Sequence, residues 1–408
     1  LFDPIVMGSM KQDAKVRVFA IGRRVDVEEG ESEASYAAVI DCMMKKSSDY
    51  FRKDIPNLVV FEEYTGLPLV FVGDEGAQAR KQTSLFGAAV QFTKAGEPKV
   101  IVYKLASHGW KSFTRTFGAV AQKYGVPVMA TTLTPMFDSA TLAVSTSDTR
   151  VTNATLFFDT QGRIVYRWDK VNLVPFEQTI EVTPGALGDV GACDYAGYRY
   201  GIGISLDAFI PAYLQHLNDL GVQVLVQPDA NDSSWTSIGG AGYWQPEEWL
   251  GSVLYSVQDA YPSIVYNVNP MMTGRYMDEV FDGQTAITAK NDPRIRRDIN
   301  YIGNRPLADY PLGIRPGQPN MGPYPTGGFL VMGPWIIEDP TFPATCPTGD
   351  SVCLGLDRVL DAPENLQGLG RTEGPDRLND VQRKFMEFGE KRESLSLPFL
   401  ESLVFADL

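Results

Sequence analysis

From residue 16 to about 290 the chain alternates short, nearly all-apolar runs with longer amphipathic ones. Val16 to Ile21, Asn57 to Glu62, Val126 to Thr131, Ala154 to Asp159, Ile164 to Trp168, Tyr200 to Ile204, Val222 to Gln227 and Ser263 to Asn267 have the length and content of strands. Thr160-Gln161-Gly162, between two of them, is a hairpin signal. Helical spacing marks Glu33 to Phe51, Lys111 to Tyr124, Pro211 to Leu220 and Pro246 to Ala260. Strands alternating with helices predict an α/β protein.

The pattern breaks near residue 291. Prolines and glycines crowd Asn291 to Pro347, which excludes regular helix or a central strand over most of it. This divides the chain into a core domain, 14–290, and an extension, 291–408, packing on the core or on a partner subunit. Within the extension, Gly328 to Ile337 reads as a strand and Asn379 to Lys391 as an amphipathic helix, and the apolar end Leu397 to Leu408 suits docking on a partner. No internal repeat is visible.

With 36 Lys+Arg against 50 Asp+Glu the chain carries a formal charge of −14, which argues against nucleic acid as a partner. No apolar run reaches the roughly 18 residues of a membrane span. Two histidines, His108 and His216, leave no His-rich metal site. Cys346 and Cys353 bracket a turn-rich loop and are either two surface thiols or a disulfide. A bridge would imply a secreted protein; without it a cytoplasmic one fits equally. No signal peptide is visible at the start, and Met-Gly-Ser-Met at 7–10 leaves a cloning scar open.

Three strand ends carry chemistry. Leu58-Val59-Val60-Phe61-Glu62-Glu63-Tyr64 is a buried strand that delivers two carboxylates to its mouth. Tyr166-Arg167-Trp168-Asp169-Lys170 ends an aromatic strand in an ammonium, which needs an anionic partner if it is buried. Taken singly, a solvated glutamate and a snorkelling lysine account for both. In Tyr200-Gly201-Ile202-Gly203-Ile204-Ser205-Leu206-Asp207 a strand runs into a helix, placing Ser205 at a tight turn with backbone N–H groups free for an oxyanion. The spacing Gly203-x-Ser205-x-Asp207 differs from a Gly-x-Ser-x-Gly elbow, and no histidine follows His216, which argues against an α/β-hydrolase. A serine hydrolase with Lys170 as the base of Ser205 remains an alternative.

Taken in order, a strand-end Glu, a strand-end Lys and a small nucleophile at a strand–helix turn resemble the nitrilase, or carbon–nitrogen hydrolase, superfamily over roughly residues 14–290. Asp169-Lys170-Val171-Asn172-Leu173-Val174-Pro175-Phe176-Glu177 is similar to the apolipoprotein N-acyltransferase branch, and its Lys-x-Asn-Leu to pantetheinases. Leu225 to Asp232 followed by Trp235, and Phe281 to Ile287, look like the family's later strands and pocket loop. The resemblance implies a four-layer α-β-β-α sandwich, pairing into a homo-dimer or larger, and no cofactor or metal. Glu63 takes the place of the general base, Lys170 of the lysine, and Glu177 of a second carboxylate that positions the amine or water. Leu206 would offer its N–H to the oxyanion; Tyr64, Asp207 and Trp235 are the other candidate substrate-binding residues, with Tyr64 and Trp235 as walls.

Two departures stand out. Ser205 falls where the family has cysteine: either a Cys-to-Ser substitution made to trap substrate, or a naturally altered or inactive member. Glu177 lies seven residues beyond Lys170, whereas the acyltransferase-like pattern has eight. The implied reaction is cleavage of a non-peptide C–N bond through an acyl-enzyme, first of all in a small carboxamide. Nitrile hydrolysis, N-acyl transfer and a binding-only pseudoenzyme are the alternatives.

Overall fold

The computed structural model describes residues 4–10, 12–235, 260–290, 328–332 and 401–408, together with Gln245, Trp249, Ser252, Val253, Ser256 and Val257. Its first sheet has seven strands in the order β1 (Ile5–Ser9), β16 (Ser402–Asp407), β2 (Arg17–Gly22), β4 (Asn57–Val60), β5 (Val128–Pro135), β6 (Val151–Phe158) and β7 (Ile164–Asp169). The run β2, β4, β5 is parallel, and β6 and β7 add antiparallel hairpin strands. The second sheet has six, in the order β15 (Gly328–Met332), β14 (Ala286–Lys290), β11 (Tyr266–Asn269), β10 (Val224–Val226), β9 (Tyr198–Ile202) and β8 (Cys193–Tyr195). A small third sheet joins β13 (Glu279–Phe281), β12 (Thr273–Tyr276) and β3 (Arg24–Val25).

The central strands read as continuous apolar runs because both of their faces are covered. Side chains alternate across a strand. Val18 and Ala20 of β2, Leu58 and Val60 of β4, and Val404 and Ala406 of β16 therefore face the second sheet, where they meet Ile202, Val224, Val226 and Val268. Their neighbours Phe19, Ile21, Val59, Leu403 and Phe405 face the opposite way, onto helices. Full burial of one such side chain is worth roughly 1.5–3 kcal/mol.

Two helices form that outer layer. In α1 (Glu33–Ser48) the Ser32 side chain caps the first turn by accepting from the Ser35 N–H, and Tyr36, Ile40 and Met43 face the sheet. In α3 (Pro98–Tyr124) Phe113, Phe117 and Val120 do the same. The helix expected over Lys111 to Tyr124 thus begins at Pro98, whose fixed φ suits a first turn, and runs through Gly109. A Cβ at Gly109 would lie 2.9 Å from the Leu69 carbonyl oxygen, so the residue that looks like a helix breaker allows close approach. On the other side, α5 (Pro211–Asp219) packs Tyr213, Leu214 and Leu217 on the second sheet. The helical residues Ser252 and Ser256 join that sheet through Gln227 and Asn267. The layers are α-β-β-α, as the resemblance implies.

Two short helices complete what frames the site: α2 (Leu85–Thr93) and α4 (Pro175–Thr179), neither of which the pattern of the chain marks. Cys193-Asp194-Tyr195 is β8. Residues 7–9, the Met-Gly-Ser of the suspected scar, belong to β1. The apolar C-terminal end, expected on a partner subunit, is β16 and inserts between β1 and β2 of its own sheet. Arg17 and Asp407 pair across this junction at 2.6 and 3.0 Å. Within Gly328 to Ile337 the described part is β15. The loop with Cys346 and Cys353 and the helix expected over Asn379 to Lys391 lie outside the described residues.

Candidate functional site

The sheets bring three strand ends to one cavity. Glu63 follows β4, Lys170 follows β7, and Ser205 follows β9 at the head of a tight helical turn, Ser205–Phe209. Glu63 and Lys170 are each 1% exposed and Ser205 6%. Ser205 has φ 49°, in the left-handed region that a β-carbon disfavours by about 1–3 kcal/mol. Its N–H donates to the Pro228 carbonyl at 3.1 Å, so β10's extension holds the turn in this conformation. Tyr64, beside the base, is also left-handed, with φ 54°. Two such residues in one cavity are what a site built for geometry at the expense of backbone comfort looks like.

The ammonium of Lys170 lies between two carboxylates, 2.8 Å from Glu63 Oε1 and 2.9 Å from Glu177 Oε2. The place where a metal ion would sit between two acids is therefore filled by a side chain. Asn153 of β6 spans the same pair, its Nδ2 donating to Glu63 Oε1 at 2.7 Å and to Glu177 Oε1 at 2.8 Å. The Tyr64 hydroxyl donates to Glu177 Oε1 at 2.5 Å, the Val174 N–H to Glu177 Oε2 at 2.9 Å, and the Ala230 N–H to Glu63 Oε2 at 3.0 Å. Every carboxylate oxygen of the pair is occupied, which makes so buried a charge cluster tolerable.

The two acids are driven apart in acidity. Burial pushes the Glu63 carboxyl above its usual range, and the negative Glu177 adds to this against the pull of Lys170. For Glu177 burial acts in the same sense, but the Lys170 charge and the bonds from Tyr64, Lys170 and Asn153 outweigh it and hold that carboxyl below its usual range. Burial alone would lower Lys170, yet the two carboxylates hold it above its ordinary value, as a fixed cation. Environments that separate two neighbouring carboxyls in this way yield one group able to exchange protons and one that remains a permanent charge. Tyr64, held by burial and by both glutamates well above its usual value, is a neutral donor.

The cavity has a volume of about 550 Å³; Glu63, Tyr64, Lys170, Ser205 and Leu206 line its polar end. Three sequence-based expectations need correction. Trp235 is not a wall: it is wholly buried, its backbone N–H donating to Asp282 Oδ2 at 2.8 Å, and the aromatic residues that do line the cavity include Phe209 and Trp249, packed edge to face. Asp207 does not reach the cavity. Its carboxylate accepts from the N–H groups of Val171 and Asn172 and from the Asn172 side chain, stapling the Ser205 turn to the loop after Lys170. Glu177 lies behind the lining, both oxygens taken, so it orients Lys170 and Tyr64 and has no oxygen left for a substrate amine or water.

Asn153 is the residue the sequence reading misses. The signal was present: one amide in the middle of Val151–Phe158, a strand buried along its whole length, has to find polar partners there. Cys193 is buried in the core with its thiol pushed up to about 12, chiefly by burial, and lies in β8, away from the Ser205 turn. His108 and His216 each bond a backbone carbonyl, of Val72 and of Val190, at 2.8 and 2.9 Å.

No protein-family model matches the chain, and no curated protein is similar to it. Solved structures similar in backbone include a Cys-to-Ser mutant of the Nesterenkonia AN1 amidase from the nitrilase superfamily, at 14% identity and TM-score 0.46, over 68% of this chain and 85% of that one. A double mutant of the amidase from Nesterenkonia sp. AN1 in complex with acrylamide matches at 13% identity and TM-score 0.46, over 80% of this chain and 93% of that one. An amidase from Nesterenkonia sp. matches at 14% identity and TM-score 0.46, over 80% and 92%.

Proposed function

We propose that this chain is a carbon–nitrogen hydrolase of the nitrilase type, an amidase whose cysteine position is held by serine. The observation that carries the reading is the Lys170 ammonium bridging Glu63 and Glu177 at 2.8 and 2.9 Å in the cavity that Ser205 enters from its left-handed turn. With a thiol at position 205, Glu63 takes its proton and the sulfur attacks the amide carbon. Lys170 and the Leu206 N–H stabilise the oxyanion that forms. Glu63 then gives its proton to the departing nitrogen as the C–N bond breaks, leaving a thioester. Water attacks the thioester, again losing its proton to Glu63, and the acid departs with the thiol restored. One carboxyl serves in both directions, which suits a pKa raised from the usual range.

A hydroxyl is a far weaker acid than a thiol, of ordinary pKa about 8.5, and Glu63 is too weak a base to activate it. The protein as it stands binds an amide in this cavity and turns it over slowly or not at all. A serine hydrolase with Lys170 as base is disfavoured because that group is a cation clamped between two acids. Cys193 cannot replace the nucleophile, being buried in the core. A binding protein without catalysis is the second reading, favoured by Ser205 itself.

Ser205→Cys tested beside the parent on a panel of small amides and nitriles decides between them. Ammonia release by the cysteine form alone is the expected result. No release from either protein, with ligand still bound, would leave the binding reading.

A further inference from the structure

Past its polar end, the helical walls of the cavity are hydrocarbon, while Asp278, which accepts from the Leu85 N–H, and Glu279 of β13 add two carboxylates to the lining. Helix α2 contributes Phe86 and Ala89, the first half of α3 Ile101 and Leu105, and the start of α4 Phe176; no polar side chain of these three helices lines the cavity. Phe86 and Phe176 are 58% and 48% exposed, so the apolar surface continues to the rim. A two-carbon amide would fill only a small part of a cavity of about 550 Å³ and would leave water against its apolar walls.

We propose that the acyl group of the substrate is a hydrocarbon chain of medium length, lying along α2 and α3 with its carbonyl at Ser205 and Lys170. This rests on the amidase reading and narrows it from carboxamides at large to aliphatic amides of medium chain length. The orientation follows from the proton path: the leaving nitrogen must face Glu63, whose Oε2 is held by the Ala230 N–H at 3.0 Å, and Ala230 leads into the polar lining residues Asn231 and Asp232. The other substituent of the carbonyl is left with the apolar wall. Entry of the chain displaces poorly held water and buries apolar surface on both partners.

Dissociation constants measured by calorimetry on the parent protein, for the primary amides acetamide, butanamide, hexanamide and octanamide, test this directly. Affinity should rise by about threefold to fourfold per methylene, the equilibrium equivalent of burying one CH2. Ala89→Phe, which fills the middle of the wall, should flatten the series. Phe86→Ala, at an exposed position where folding is not at stake, should reduce the gain of the longest members. A flat series in the parent overturns the proposal, as does a gain seen for N-octylacetamide and not for octanamide. Both results leave the amidase reading standing if Ser205→Cys releases ammonia from acetamide. A steep series with no release from any amide by Ser205→Cys has the opposite meaning: the acyl site holds and the hydrolase fails.

Discussion

Asp207 Oδ1 accepts both the backbone N–H and the side-chain amide of Asn172, at 2.7 and 2.8 Å. Two residues from Ser205 and two from Lys170, this contact ties the Ser205 turn to the loop after Lys170. Asp207→Ala leaves buried N–H groups without an acceptor and should cost about 2–4 kcal/mol of stability, read from urea unfolding. In the Ser205→Cys background it should lower kcat more than KM, because what is lost is alignment.

Glu177→Gln separates the two carboxylates. Glu177 is a like charge that raises Glu63, and it shares the Lys170 ammonium with it. Its removal lets Glu63 ionise at lower pH. The acid limb of kcat/KM for Ser205→Cys should therefore start above the ordinary carboxyl value of 4.5 and move down in the double variant. A limb that stays in place would show that Glu63 is not the group being titrated.

Lys170→Met should destabilise the protein by about 3–5 kcal/mol, since it leaves two buried carboxylates facing each other. Adding Glu177→Gln to that variant should recover part of the loss. Thermal melts of the four proteins in this cycle measure the coupling, and simple additivity would contradict the bridging role.

Asp229 is wholly buried and burial holds it well above its ordinary value of 3.8, with nearby Glu63 acting in the same direction. The folded state keeps a proton that the unfolded chain gives up, so this residue lowers stability as pH rises from about 4 toward its folded pKa. An amide in its place does not titrate, and its oxygen can still accept from Gln227 and Asn269 as Oδ2 does. Asp229→Asn should match the parent near pH 4 and exceed it increasingly above, by at most about 1.4 kcal/mol per pH unit. Urea midpoints at three pH values check the slope.

What the sequence discloses follows from how local each signal is. β2 and β4 are legible because a strand covered on both faces is apolar at every position, and Glu63, Lys170 and Ser205 are legible because each closes such a run. Their convergence is not local, and it was the resemblance in order and spacing that suggested it. Glu177 is legible from its nearness to Lys170 in the chain, but its contacts depend on Asn153 and Tyr64, which sit 24 and 113 residues away. Asp207 and Trp235 stand next to motif residues, and adjacency in sequence says nothing about which side of a turn faces a cavity. β16 is the least legible element: an apolar tail looks the same whether it meets another subunit or its own sheet, and its ionic partner Arg17 is 390 residues distant.

That strand has a consequence for how the chain folds. Because β16 fits between β1 and β2, the sheet closes only when segments 390 residues apart, such as those of Arg17 and Asp407, have met. Until then β2 keeps an open apolar edge and Arg17 lacks Asp407 as its counter-ion. Pairing over so long a separation is slow, and an unpaired edge invites association with other chains. Closure of the first sheet is thus a late event in folding, and the interval before it is when the chain is most open to association with its neighbours.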